Sequence, residues 1–293
     1  MRIILSSDAE LWSWNKNFKQ DVWEGVLKLV EVAEKEKIPL TLFVSLSDKG
    51  YGNFDYLEKI TSLVKRIKSK YISFGIHSHC KNLPLNFPTP SDYLRDYQKD
   101  QIIQILQWYK EELEKITKNK VLIHRAGSYA IPNLDVLNEC FKETKIIIDS
   151  SDISREYSKL LRLKNFVEIP PATNREYSKK LRVWSPEQMS LKEMLDFYFK
   201  AKNKTDVLVV NFHSFSVYGN LGWKKKVWYK VPNWLRGLLR PAINPLKNKI
   251  SMQETKEDSQ KEVSENFKNL KKLIEFLKAE KCEFVNFNRL GIK

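Results

Sequence analysis

Long apolar runs are missing from this 293-residue chain. No stretch approaches the ~18 consecutive apolar residues of a membrane span, and the few apolar residues ahead of Asp8 and Glu10 are too short for a signal-peptide core. The expectation is a protein that begins at Met1 in the cytoplasm. Cysteine is scarce as well. Cys80, Cys140 and Cys282 are an odd number at no regular spacing, which excludes a disulfide framework and a cysteine-type zinc module and fits a reducing compartment. No internal repeat and no disordered tract is read from the sequence. Acidic residues are absent from 207–253, although the chain as a whole carries 36 Asp and Glu.

What is present suffices for a globular domain. With 42% hydrophobic residues the chain can bury a full core as one large unit or two small ones. The net charge is +15, and the acid-free segment concentrates it in Lys224, Lys225, Lys226, Lys230, Arg236, Arg240, Lys247 and Lys249. The same segment holds Trp223, Trp228, Tyr229 and Trp234. Basic residues among Trp and Leu suit an anionic membrane surface, where each Lys or Arg near the surface contributes about 1 kcal/mol. A charged surface loop or a lid packing Trp into the core accounts for the same residues. No nucleic-acid recognition module is visible. The segment reads as an insertion at about 217–253 in a single catalytic domain spanning 1–293.

Short apolar runs alternate with amphipathic stretches. Val22, Val26, Val30 and Ala33 recur at helical spacing, and 38–44 reads as a buried strand. Residues 56–67 form a second helix leading to a strand before His77. A long helix is expected over 92–116, with Ser91 as its N-cap. A short helix over 134–141, a strand over 145–148 and a last helix carrying Val263, Phe267, Leu270, Ile274 and Leu277 complete the series, and 154–187 is irregular. Repeated β/α alternation predicts a parallel α/β architecture.

All four histidines fall beside polar groups where apolar runs end. Ile3-Ile4-Leu5 leads into Asp8-Ala9-Glu10, 71–76 into His77-Ser78-His79, 121–123 into His124-Arg125-Ala126-Gly127, and 207–210 into Asn211-Phe212-His213-Ser214. Strand ends that carry chemistry converge on one end of a barrel or sheet. His124 is set aside because it points to the opposite side of its strand from Arg125.

These motifs, in this order, resemble the NodB-type polysaccharide deacetylases (carbohydrate esterase family 4). Asp8-Ala9-Glu10 is similar to the family's Asp-x-Glu/Asp opening, Gly75-Ile76-His77-Ser78-His79 to its histidine motif and Arg125-Ala126-Gly127-Ser128-Tyr129 to its arginine motif. Asp149-Ser150-Ser151 and Phe212-His213-Ser214 resemble the segments that follow. The resemblance implies a distorted (β/α)7 barrel and metal-dependent removal of an N-acetyl or N-formyl group from a sugar. On that pattern Glu10, His77 and His79 hold a divalent metal and Asp8 is the base. Arg125 holds Asp8, and His213 is the general acid or an oxyanion stabiliser, with Asp149 or Asp152 fixing its tautomer. Zinc is the preferred metal for two histidines and a carboxylate, and iron, cobalt and nickel fit the same ligands.

Two departures mark a variant branch. The family spaces its two histidine ligands four residues apart, and position 81 here is a lysine, so His79 takes that place. Ala9 separates Asp8 from Glu10, which leaves open which of the two is the ligand. Cys80 reads as a free buried thiol. The implied substrate is an N-acylated saccharide of surface-polysaccharide or glycolipid assembly, lipid-linked if segment 223–249 contacts the inner membrane face. A hydrolase of a non-sugar carbon-nitrogen bond and a catalytically inactive barrel that binds glycan or anionic lipid are the alternatives.

Overall fold

The computed structural model describes residues 1–11, 18–52, 55–175, 181–218 and 262–290. Eleven strands lie in these segments: β1 (Arg2–Ala9), β2 (Leu40–Val44), β3 (Ile72–Ser78), β4 (Ile123–Ala126), β5 (Ile148–Asp149), β6 (Leu161–Arg162), β7 (Val167–Glu168), β8 (Thr173–Asn174), β9 (Arg182–Val183), β10 (Val207–His213) and β11 (Glu283–Phe284). Six α-helices accompany them among the described residues: α1 (Gly25–Glu36), α2 (Tyr56–Arg66), α3 (Lys99–Thr117), α4 (Leu134–Thr144), α5 (Leu191–Ala201) and α6 (Glu265–Ala279). The strands β10, β1, β2, β3, β4, β5 and β7 pair in that order, all parallel. This is the distorted seven-stranded β/α barrel, open between β7 and β10. Backbone N–H groups bridge that seam: Ala172 N–H donates to Val209 O at 2.9 Å, and Val209 N–H to Ser158 Oγ at 3.0 Å. No helix of the described residues is long and apolar enough to cross a membrane.

Strand periodicity divides the barrel into layers. On β1 the residues Ile3 and Leu5 join the core beneath the helices, whereas Ile4 joins the barrel interior. On β10 the residues Leu208, Val210 and Phe212 face the helices, and Val207 and Val209 face inward. Phe43, Ile123, Ile148 and Val167 complete the interior, and Phe287 from the C-terminal segment closes its lower end edge-on to Phe43 at 5.6 Å. The same inward faces continue toward the strand C-termini as Ser6 and Asp8, His77, Arg125, and Asn211 and His213. Apolar side chains fill the bottom and polar ones the top. Gly75 is needed at its position because a Cβ there would lie 2.9 Å from the Phe43 ring.

Several sequence expectations shift. The strand ends carry the polar motifs inside the strands: His77, Arg125 and His213 all lie on ladder positions. The long helix starts at Lys99, not near Asp92, and Ser91 is not its N-cap. Gln98 precedes the helix in extended conformation, its N–H bonded to Gln101 Oε1 at 3.1 Å. Residues 91–98 stay out of the helix because Asp92 is engaged with His79. The irregular stretch contains β6 to β9. It also contains a repeat that the sequence reading overlooked: 155–162 reads Arg-Glu-Tyr-Ser-Lys-Leu-Leu-Arg and 175–182 reads Arg-Glu-Tyr-Ser-Lys-Lys-Leu-Arg. The basic aromatic insertion lies outside the described residues from 219 to 253.

Candidate metal and catalytic centre

Glu10, His77 and His79 are buried at the C-terminal ends of β1 and β3, with one ligand atom from each lying within 4.8 Å of the others. Glu10 Oε2 is 3.3 Å from His77 Nε2 and 2.5 Å from His79 Nε2. The opposite ring nitrogens are committed elsewhere. His77 Nδ1 lies 3.1 Å from the carbonyl of Arg125, and His79 Nδ1 lies 2.7 Å from Asp92 Oδ2. A carbonyl or carboxylate oxygen only accepts, so each Nδ1 carries a proton and each Nε2 is turned toward Glu10. Burial pushes His77 below its ordinary value, with Asp8 and Glu10 pulling the other way, which keeps its ring neutral.

This arrangement fits a divalent metal. Glu10 Oε2 and His79 Nε2 are both buried without a hydrogen bond of good geometry among the described residues, Glu10 Oε2 being held by ion-pair contact alone. Two imidazoles directed at one carboxylate, each held from behind by an acceptor, form the donor set and support of a three-ligand site. Lys49 also reaches it: its Nζ is 2.5 Å from the same Glu10 Oε2, with both side chains at least 90% buried. Burial raises Glu10, but the Lys49 ammonium and the neighbouring imidazoles lower it further and hold the carboxyl well below its ordinary range. Lys49 arrives through a turn in which it and Gly50 have φ of 55–75°, at 59° and 73°. Ser47 Oγ accepts the Lys49 N–H at 3.0 Å.

Asp8 lies beside this group. Its Oδ1 accepts from Arg125 Nη1 at 2.7 Å and its Oδ2 from Asn211 Nδ2 at 3.0 Å. All five guanidinium N–H groups of Arg125 are used: Nε on Ser150 O, Nη1 on Asp8 and Asn211 Oδ1, and Nη2 on Ser6 Oγ and Ser150 Oγ. The Phe43 ring covers the guanidinium at 3.9 Å. Burial raises Asp8, but Arg125, His77 and His213 together hold it below its ordinary value, so it stays ionised.

His213 pairs with Asp8 in register across β10 and β1, and its Nε2 lies 3.6 Å from Asp8 Oδ2 and 3.7 Å from Glu10 Oε1. Its Nδ1 donates to Glu187 Oε2 at 2.7 Å. Burial lowers the ring's pKa, but Glu187, Asp8 and Glu10 raise it further, to about 9. The carboxylate fixing this ring is therefore Glu187, neither Asp149 nor Asp152. Asp149 Oδ1 instead takes the Nδ1–H of His124 at 2.6 Å on the outer side of β4, and Asp152 Oδ2 pairs with Arg155 Nε at 2.8 Å. The reason is directional: Asp149 is paired with His124 in register, so its side chain follows His124 away from the barrel interior.

Asp92, Asn211, Lys49 and Glu187 were missed by the sequence reading. Asn211 was detectable, because it precedes His213 by two and so shares its face. Asp92 and Glu187 sit in loops 13 and 26 residues from the histidines they hold, with no periodicity to flag them.

No family profile and no curated protein matches the sequence. Among solved structures, the Puue allantoinase superposes with a TM-score of 0.58 at 9% identity, over 98% of this chain and 87% of that one. That likeness is one of fold alone. The polysaccharide deacetylase Bc1974 from Bacillus cereus has a TM-score of 0.47 at 10% identity, over 99% of this chain and 93% of that one. A mutant of BA3943, a CE4 family pseudoenzyme, has a TM-score of 0.35 at 16% identity, over 72% and 65%.

Proposed function

We propose that this chain is a metal-dependent hydrolase that removes an N-acetyl or N-formyl group from a sugar in surface-polysaccharide or glycolipid assembly. The observation that carries the reading is the convergence of Glu10 with two tautomer-fixed histidines beside an ionised Asp8 and a charged His213. Glu10, His77 and His79 hold the metal, zinc by preference. When bound, a divalent metal supplies Lewis acidity to the acyl carbonyl and acidifies water. Asp8 Oδ2, the oxygen not paired with Arg125, takes the water proton. Arg125 and Asn211 fix that carboxylate so that no reorientation is needed at the moment of transfer. His213, protonated at neutral pH through its bond to Glu187, donates from Nε2 to the departing amine nitrogen.

The single-domain organisation over 1–293 and a cytoplasmic location, peripheral at the inner membrane face through segment 223–249, belong to this proposal. A binding barrel without catalysis is the second reading, favoured by the Lys49 ammonium on Glu10 Oε2. Metal content per chain by elemental analysis, on wild type and on the His77→Ala, His79→Ala double variant, separates the two. About one equivalent lost in the double variant supports the hydrolase and leads to an acyl-sugar panel run against cyclic amides. A metal-free wild type after reconstitution supports the binding barrel.

A further inference from the structure

The repeated segment builds a second polar site, away from the metal centre. Within its first copy, Tyr157 and Ser158 are consecutive residues in the left-handed region, with φ of 55° and 51°. Such conformations cost bulky residues on the order of 1–3 kcal/mol and persist where the surroundings enforce them. Here the reversal places Ser158 Oγ on Val209 N–H at the open barrel seam and lays the Tyr157 ring against Phe197 at 5.3 Å. The second copy begins against the first. Arg175 N–H donates to Glu156 Oε1 at 3.3 Å, and the preceding Thr173 donates through Oγ1 to Ile153 O at 3.0 Å.

Here lies a cleft of about 730 Å³ whose described lining residues include Arg155, Lys159, Arg175 and Lys204 and, among those described, one carboxylate, Glu156. Tyr157 is its buried floor. Lys204 Nζ lies 4.4 Å above the Tyr157 ring and donates to its hydroxyl at 3.0 Å. Arg155 is fixed by Asp152, whereas among the described residues no carboxylate pairs with Lys159 or Arg175. Cations spread over a convex face are solvated separately and repel little. Gathered around a concavity they focus a positive potential that an anion relieves. Guanidinium and ammonium groups around a hydroxyl are the donors that phosphate oxygens accept from.

We propose that this cleft binds the phosphate groups of a phosphorylated ligand, a diphosphate by its size and its number of cations. The proposal goes beyond the hydrolase reading and uses none of its residues, so either can fail alone. The bound phosphate can belong to a free sugar or nucleoside diphosphate or to a lipid headgroup.

The test is calorimetric titration of the full chain with inorganic pyrophosphate at low salt, wild type against the Lys159→Gln, Arg175→Gln double variant. Both positions are exposed, and circular dichroism checks that the variant folds. The expected result is saturable one-site binding that weakens about tenfold or more in the variant. Absence of saturable binding, or equal binding by the variant, overturns the proposal. An independent readout on wild type is trypsin cleavage after Lys159 and Arg175, which pyrophosphate should slow; unchanged cleavage counts against the site. Competition of pyrophosphate with a nucleoside diphosphate and with phosphatidic acid vesicles then identifies which source of phosphate the cleft takes.

Discussion

Glu187 accepts two hydrogen bonds from one residue: its Oε1 takes the backbone N–H of His213 and its Oε2 takes the ring Nδ1–H, both at 2.7 Å. The carboxylate fixes ring, tautomer and charge together. A glutamine can present only one oxygen to these two donors. Glu187→Gln is expected to lower kcat by about 10²–10⁴-fold, the range for a lost general acid. A group that acts as an acid works below its pKa. Because Glu187 holds His213 at about 9, removing that charge should move the basic limb of kcat/KM to lower pH. A basic limb that stays in place would assign it to another group.

The barrel was legible because strand and helix periods alternate cleanly, and the inward face of each strand follows from a two-residue repeat. Asp8, Glu10, His77, His79, Arg125 and His213 stood out because they lie where apolar runs end, and the family resemblance supplied the role proposed for each. Asp149 was misassigned because the resemblance offered it as a partner for His213, whereas its register with His124 turns it outward. Glu187, Asp92 and Lys49 come from loops, where the partner is set by the path of the backbone and no periodicity records it. The start of α3 was missed because Asp92 is held by a histidine, a tertiary contact that overrides the local helix signal.

Arg125→Met is expected to destabilise the chain by about 3–5 kcal/mol, because it strands the buried Asp8 charge and several buried acceptors at once. Urea denaturation reads the loss. Adding Asp8→Asn to the variant should restore part of the stability, since a neutral amide is cheaper to leave buried. If the double variant is no more stable than Arg125→Met, the two groups are not energetically paired.

Lys49→Met should tighten metal binding at Glu10, His77 and His79. A divalent metal and an ammonium that share one carboxylate oxygen repel, by about 8 kcal/mol at 4 Å and an effective dielectric of 20 before solvent and rearrangement reduce it. The expected change is about tenfold or more in the dissociation constant, read by competition with a chelator. Weaker binding in the variant would mean that Lys49 orients Glu10 and does not oppose the metal.

Glu168→Gln should flatten the dependence of stability on pH. Burial pushes Asp149 up to about 6, against hydrogen bonds from Glu168 and Ser151 that lower it, while burial and the neighbouring Asp149 raise Glu168 well above its ordinary value. Both folded pKa values exceed the unfolded ones, so the folded state binds more protons. The stability these groups contribute is fully present below about pH 4, near their unfolded values, and declines as pH rises through 6 and beyond. Glutamine keeps an oxygen for the Ser151 and Asp152 N–H groups that Glu168 Oε1 now accepts. The melting temperature is expected to fall less between pH 5 and pH 8 in the variant than in wild type. Equal falls would place the titration elsewhere.

The pairing of Asp8 with a fully satisfied Arg125 also bears on how such a protein can change over generations. Asp8 is at once the proposed base and the counter-ion of a buried guanidinium that braces β4 against β1 and β10. Drift that erases the base also loosens the barrel, whereas drift at Glu10, His79 or Glu187 removes chemistry and leaves the brace in place. Folded descendants that lose hydrolysis should therefore keep the aspartate and arginine. The pair is thus expected to outlast the ligand set when activity is lost.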